Sequence, residues 1–182
     1  SDFTIYDTDD CRALVRRILV ALDLSEQDFP IRQVHGEISR AKNAMTDVAT
    51  FAGSVAHNPH KRRVADIYQA YEQGLRANNA FDFDDLIVEP VHLLQRHPEV
   101  LDKWRNRFKH ILVDEYQDTN RPQYLLTKLL AAEHRNLCVV GDDDQSIYQF
   151  RGADIRNILD FEKDYPEAVV VRLEQNYRST GR

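Results

Sequence analysis

Ile111-Leu112-Val113-Asp114-Glu115-Tyr116-Gln117-Asp118-Thr119-Asn120 is the stretch on which the fold turns. Three strand-forming aliphatic residues run directly into two carboxylates. A short run that is apolar on both faces reads as a strand of a buried parallel sheet. In open α/β sheets ligands lie outside the carboxyl ends of the strands, so Asp114 and Glu115 fall where a ligand binds. Downstream, Leu137-Cys138-Val139-Val140 is a second such run, and Val169-Val170-Val171 with Leu173 a third. Helical segments, Pro122–Glu133 and Ala153–Lys163, separate them. Alternating strands and helices imply right-handed crossovers. Residues 107–182 therefore read as a partial α/β domain with about three parallel strands, a thin sheet for a complete doubly wound domain.

Residues 1–106 read as an all-helical subdomain without β alternation. Thr8 or Asp9 can cap a helix whose stripe is Cys11, Leu14, Val15, Ile18, Leu19 and Leu22. Ile31, Val34, Ile38, Ala41 and Met45 repeat at helical spacing. Thr46 can cap a short helix through Phe51 and Val55. Pro59 starts a longer one lined by Val64, Ile67, Tyr68, Tyr71 and Leu75, and Asn78-Asn79 interrupts it. Phe83, Leu86, Ile87, Val91 and Leu94 line the next, with a bend expected at Pro90. Pro98 opens the last.

Composition bounds the function. The chain has 182 residues, 42% hydrophobic and 30% charged, which is globular and not disordered. Lys plus Arg number 24 against 30 Asp plus Glu, a net charge of −6. Neither half carries the basic excess that drives non-specific duplex binding by counterion release. A nucleic-acid partner would have to be held by stacking and a few placed arginines. No apolar run approaches the ~20 residues that cross a bilayer, and the start lacks the basic and apolar regions of a signal peptide. Cys11 and Cys138 are too few for a disulfide framework or a zinc site, and read as isolated buried thiols in a reducing cytoplasm.

Four segments carry chemistry. An apolar strand followed by Asp114-Glu115 suits a nucleotide hydrolase, the first carboxylate holding Mg²⁺ and the second taking a proton from the attacking water. A solvated acidic turn is the alternative. Gly141-Asp142-Asp143-Asp144-Gln145 follows the second strand at the same sheet edge, and the neutral amide of Gln145 can report on a terminal phosphate. A solvated loop is the alternative for Asp143 and Asp144. Tyr148 and Phe150, two residues apart in an extended segment, share a face beside Arg151, as base-stacking residues or as core aromatics. Tyr177 can stack on a purine and Arg178 can grip a γ-phosphate bidentately, or be solvated.

Taken together, Val113–Asn120, Gly141–Tyr148 with Phe150–Ala153, and Gln175–Ser179 resemble motifs II, III and IV of the UvrD/Rep/PcrA-type superfamily 1 DNA helicases. Phe3–Asp10, Ile38–Asn43 and Asp82–Leu86 resemble phrases of that family's 1B subdomain and its return to 1A. The resemblance implies a partial RecA-like P-loop NTPase sheet. It implies that Asp114 coordinates Mg²⁺, Glu115 polarises water, Gln145 senses the γ-phosphate, Tyr177 stacks on adenine and Arg178 reaches the γ-phosphate. Tyr148 and Phe150 would pack against bases of single-stranded DNA, with Arg151 nearby. It further implies ATP as cofactor, single-stranded DNA and single-strand/duplex junctions as partners, 3′→5′ translocation with duplex unwinding, and a role in DNA repair or replication.

Two departures stand out. Phe150 replaces a Trp common in relatives, and Gln149 an Arg. A phosphate-cradling loop, Gly-x-x-x-x-Gly-Lys-Ser/Thr, is missing: Gly36, Gly53, Gly74, Gly141, Gly152 and Gly181 are the only glycines, and none precedes a Lys. The expectation is a fragment covering 1B and the second half of 1A, inactive alone, with an exposed apolar edge or face and an open oligomeric state. Two rivals remain. One is a non-catalytic DNA- or protein-binding module using Lys61-Arg62-Arg63. The other is a metal-dependent phosphodiesterase built on Asp114, Glu115, Asp118 and Asp142. His57 and His60, three residues apart around Pro59, read as a surface loop rather than a metal site.

Overall fold

A computed structural model describes residues 2–142 and 161–172. Helices begin where short polar side chains meet unsatisfied amides. Helix α1 (Thr8–Ala21) is capped by Asp7 rather than by Thr8 or Asp9. Asp7 is extended, its carboxylate accepts from the amides of Asp9 and Asp10, and Asp10 reciprocates at the Asp7 amide. Helix α2 (Ile31–Asn43) ends short of Met45, which turns the chain at φ 55°. Helix α3 (Val48–Ser54) starts at Asp47, not Thr46, because the Asp47 carboxylate reaches the Thr50 amide at 2.8 Å. Helix α4 (Pro59–Ala77) has Pro59 in its first turn and Asn58 accepting from the Lys61 amide.

These helices bury the predicted stripes. Val15, Ile38, Ile67, Tyr71 and Leu75 lie at the centre of one core, and burying each such side chain contributes roughly 1.5–3 kcal/mol. Leu22 escapes at the end of α1. Helices α1 and α4 approach closely at Gly74, where an added Cβ would lie 2.9 Å from Leu14 Cδ1.

A parallel bridge in this half was not expected. β1 (Thr4–Ile5) pairs with β2 (Ala80–Phe81), tied by Thr4 N to Asn79 O at 3.0 Å and Tyr6 N to Phe81 O at 2.8 Å. Two residues per strand leave no periodicity for a sequence reading to detect.

Helix α5 (Asp85–Arg96) contains Pro90 and buries Asp85, Val88, Val91 and Leu94. Phe83 and Leu86, expected inward, are exposed. Helix α6 (Pro98–Arg107) follows. Then come β3 (Ile111–Val113), a 3₁₀ turn (Tyr116–Asp118), α7 (Arg121–Ala131), β4 (Leu137–Val139) and α8 (Phe161–Asp164). β3 and β4 are parallel, with Ile111, Leu112 and Val113 opposite Leu137, Cys138 and Val139. Helix α7 joins them, and its capping box pairs Asn120 with Gln123.

Two expectations fail here. Val169-Val170-Val171 is not a strand, and Val169 is 89% exposed. The β3–β4 pair is not buried on both faces, since Leu112 is 77% exposed and Cys138 is exposed too. Only α8 of the helix expected over 153–163 can be compared, because 153–160 lie outside the described residues. Phe161 meets the ring of Tyr116 edge-on at 5.7 Å, placing α8 beside the 3₁₀ turn. The architecture is mixed α/β and mostly helical, with small parallel sheets among the described residues.

Candidate acidic site at the end of β3

The acidic turn is built by backbone pairing beyond the formal end of the ladder. Val140 N donates to Val113 O at 2.8 Å, and Tyr116 N donates to Val140 O at 2.9 Å. Both sides of Asp114-Glu115 are thereby fixed to the extension of β4. The chain must reverse between these bonds, and Glu115 does so in the left-handed region at φ 50° and ψ 43°. For a residue with a Cβ that conformation costs roughly 1–2 kcal/mol, and such costs persist where the surroundings over-determine the backbone.

Side chains complete the turn. Asp114 Oδ1 accepts from the Glu115 amide at 2.9 Å. Gln117 is 1% exposed. Its Nε2 donates to Glu115 Oε2 at 2.8 Å, and its Oε1 accepts from the Asp142 amide at 3.0 Å. One buried amide thus joins the carboxylate after β3 to the loop after β4. Asp114 and Glu115 are solvent-exposed. Mg²⁺ keeps several waters and takes one or two protein carboxylates plus substrate phosphates. An exposed carboxylate pair at a strand end fits that demand. Among the described residues no group of three His, Cys, Asp or Glu side chains is placed to hold a metal ion.

Asp114, Glu115 and the backbone of Asp142 are brought together. The other expected site residues, Gln145, Tyr148, Phe150, Arg151, Tyr177 and Arg178, lie outside the described residues.

A second polar centre escaped the sequence reading. Lys42, 3% exposed, points from the end of α2 into three carboxylates: Asp85 at 2.7 Å, Asp82 at 2.8 Å and Glu72 at 2.9 Å. Tyr71 donates its hydroxyl to Asp82 at 3.0 Å. Burial pulls the Lys42 ammonium down, but the three carboxylates outweigh it and hold it above the ordinary lysine range. Burial, assisted by Asp82 and Glu72, pushes Asp85 up to about 6. Asp82 is also buried, yet the Lys42 charge and hydrogen bond hold it below the usual range. A legible signal existed, because Lys42 follows Ile38 by four on the apolar stripe of α2. A cleft of about 270 Å³ opens beside the cluster, lined in part by Lys42, Glu72, Arg76, Asp85, His92 and Arg96.

Of the remaining candidates, Lys61, Arg63 and His60 are engaged locally. Lys61 pairs with Glu37 at 2.7 Å and Arg63 with Asp66 at 3.3 Å. His60 stacks on Phe29 at 4.6 Å, with Nε2 3.1 Å from the Asp28 carbonyl. Cys11 is buried, its thiol raised to about 11 by burial, whereas Cys138 is exposed and not the buried thiol expected. No described helix is long and apolar enough to cross a membrane.

Comparison with known proteins adds identity to this geometry. The UvrD/REP helicase N-terminal domain model matches residues 1–166. The chain is 51% identical over 181 residues to the ATP-dependent DNA helicase PcrA of Bacillus subtilis (strain 168), covering 100% of this chain and 24% of that relative. It is 50% identical over 179 residues to PcrA of Staphylococcus aureus (strain Mu50), covering 98% of this chain and 24% of the relative. The chain therefore spans about a quarter of the length of these curated relatives.

Proposed function

The chain belongs to the UvrD/REP helicase N-terminal domain family, and on that footing we propose that it is a segment of an ATP-dependent DNA helicase. The segment supplies subdomain 1B (1–106) and the second half of 1A (107–182). The whole enzyme couples ATP hydrolysis to 3′→5′ movement on single-stranded DNA and to strand separation at single-strand/duplex junctions, in repair or replication. The observation that carries the reading is the convergence of Asp114, Glu115 and the Asp142 amide at the carboxyl ends of two parallel strands.

Asp114 would hold Mg²⁺, which when bound would neutralise charge on the phosphates. Glu115 accepts a proton from the hydrolytic water, and its exposed carboxylate leaves room for that water. Gln117 fixes one Glu115 oxygen, so the base is oriented before substrate arrives. Gln145 and Arg178 act at the γ-phosphate, Tyr177 stacks on adenine, and Tyr148, Phe150 and Arg151 grip DNA.

Absence of a Gly-x-x-x-x-Gly-Lys motif from the sequence removes the main phosphate cradle. The 182-residue chain alone should therefore not turn over ATP, with or without single-stranded DNA. The full-length helicase containing it should, and Glu115→Gln there should lower kcat by at least ~100-fold, the scale of a general base. Steady-state phosphate release measures both. Turnover by the isolated chain that Glu115→Gln abolishes would overturn the missing-cradle argument. Full turnover in the full-length Glu115→Gln enzyme would overturn the role of Glu115.

A further inference from the structure

The acidic turn is held from a third direction, by the helical half of the chain. Asn120, at the far end of the turn, donates from Nδ2 to Asn43 Oδ1 at 2.6 Å, across 77 residues of sequence. Asn43 is itself firmly placed. Its Nδ2 donates to the Ser39 carbonyl at 2.8 Å and to Asp84 Oδ1 at 2.7 Å. Its neighbour Lys42 is locked into Asp82 and Asp85. The end of α2 therefore grips the Asp82–Asp85 loop and Asn120 together.

From Asn120 the restraint runs back to Glu115 through short, paired links. Thr119 is bonded to the Tyr116 carbonyl twice, by its amide at 3.2 Å and by Oγ1 at 2.7 Å. Asp118 N donates to Glu115 O at 2.9 Å. A 3₁₀ turn this short has little slack. Gln117 and Val140 secure the turn from the β4 side; Asn43 secures its other end.

We infer that Asn43 is a positioning residue for ATP hydrolysis, acting through Asn120 on the placement of Glu115. This rests on the reading of Asp114-Glu115 as the hydrolytic pair. Asn43 touches neither carboxylate, so its loss should alter the geometry of the base and leave nucleotide affinity alone. Misplacement of a catalytic group by about 1 Å can cost up to ~100-fold in rate.

Two substitutions in the full-length helicase cut the bridge from opposite sides. Asn43→Ala removes the acceptor. Asn120→Ser keeps a good cap for α7, since Ser serves at that position nearly as well as Asn, but cannot reach Asn43. Each should lower kcat for DNA-stimulated ATP hydrolysis roughly tenfold, with KM for ATP changed by less than about twofold. The double variant should be no slower than Asn43→Ala alone, because that substitution already removes the bridge that Asn120→Ser removes. Unchanged kcat in Asn120→Ser, or a fall matched by an equal rise in KM, overturns the proposal. That decision stands even if Asn43→Ala fails to fold. Glu115→Gln, run in parallel, separates the two failures: an inactive Glu115→Gln with a normal Asn120→Ser sinks only the positioning role, whereas an active Glu115→Gln sinks the reading beneath it.

Discussion

Two acidic phrases in this chain look alike as letters and are opposites as structure. In Asp82-Phe83-Asp84-Asp85, Asp82 and Asp85 are buried around Lys42, and the carboxylate of each accepts from the backbone amide of the other. Asp114-Glu115 is turned outward, exposed, and held in place by Gln117 and by a left-handed backbone. The first spends its carboxylates on a buried cation. The second keeps carboxylate oxygens toward solvent at a strand end. Density of Asp in a sequence therefore says little about chemistry until the countercharge is found.

The sharpest way to break the contrast is to remove the countercharge. Lys42→Met leaves Asp82, Asp85 and Glu72 facing one another without a cation. Removing one partner of a buried ionic group typically costs about 3–5 kcal/mol. Urea denaturation followed by circular dichroism should show a loss of that size. An exposed pair such as Arg63–Asp66 should contribute under about 1 kcal/mol, so Arg63→Ala is the control. Equal effects from the two substitutions would mean that the cluster is solvated and the contrast false.

A second test uses protons. Asp85 titrates near 3.8 when unfolded and is raised to about 6 in the fold. Between roughly pH 4 and 6 the native state holds a proton that the unfolded chain has released. Stability from this group is thus full below about pH 4 and is lost as pH climbs through 6, by up to about 3 kcal/mol. Asp82, lowered below 3.8, acts in the opposite sense and only at more acid pH. His35, half-buried and lowered from 6.5 mainly by burial, gains stability as pH rises toward 6.5 and offsets part of the trend. The informative quantity is therefore the difference between the parent chain and Asp85→Asn. That difference should shift in favour of Asp85→Asn as pH rises from 4 to 6. A difference flat across that range would show that Asp85 is an ordinary carboxylate.

What the sequence made legible follows from the same contrast. Helical stripes such as Val64, Ile67, Tyr68, Tyr71 and Leu75 were readable because apolar burial repeats with the helix. The parallel β3–β4 pair with α7 between was readable from two short apolar runs and a helical segment. The face of α5 holds at Val91 and Leu94 but fails at its start, where Asp85, drawn inward by Lys42, occupies a core position that hydropathy assigns to Leu86. The Val169–Val171 run, unpaired among the described residues, shows that strand propensity alone does not make a strand. In the acidic site, Asp114 and Glu115 were legible from their place after a strand. Gln117, Asn43 and Asn120 were not, because a single side-chain amide leaves no periodic trace. Their roles come from hydrogen bonds spanning 25 and 77 residues.

The smallest expected effect sharpens the comparison at the backbone. Glu115 is left-handed at φ 50°, where an alanine methyl group meets the following carbonyl and a glycine does not. Glu115→Ala and Glu115→Gly both delete the carboxylate and the bond from Gln117, so those losses cancel between them. At an ordinary exposed position Ala is the more stable of the two by about 0.4–1 kcal/mol, through the unfolded chain. Here the order should reverse, with Glu115→Gly the more stable by about 1 kcal/mol in matched thermal melts. If Ala keeps its usual advantage, the turn is not over-determined by Val140, Gln117 and Asn120, and the pre-set geometry argued for the base fails. If the order reverses, the left-handed backbone persists without the Glu115 carboxylate, and the paired bonds to Val140 on either side of the turn are what impose it.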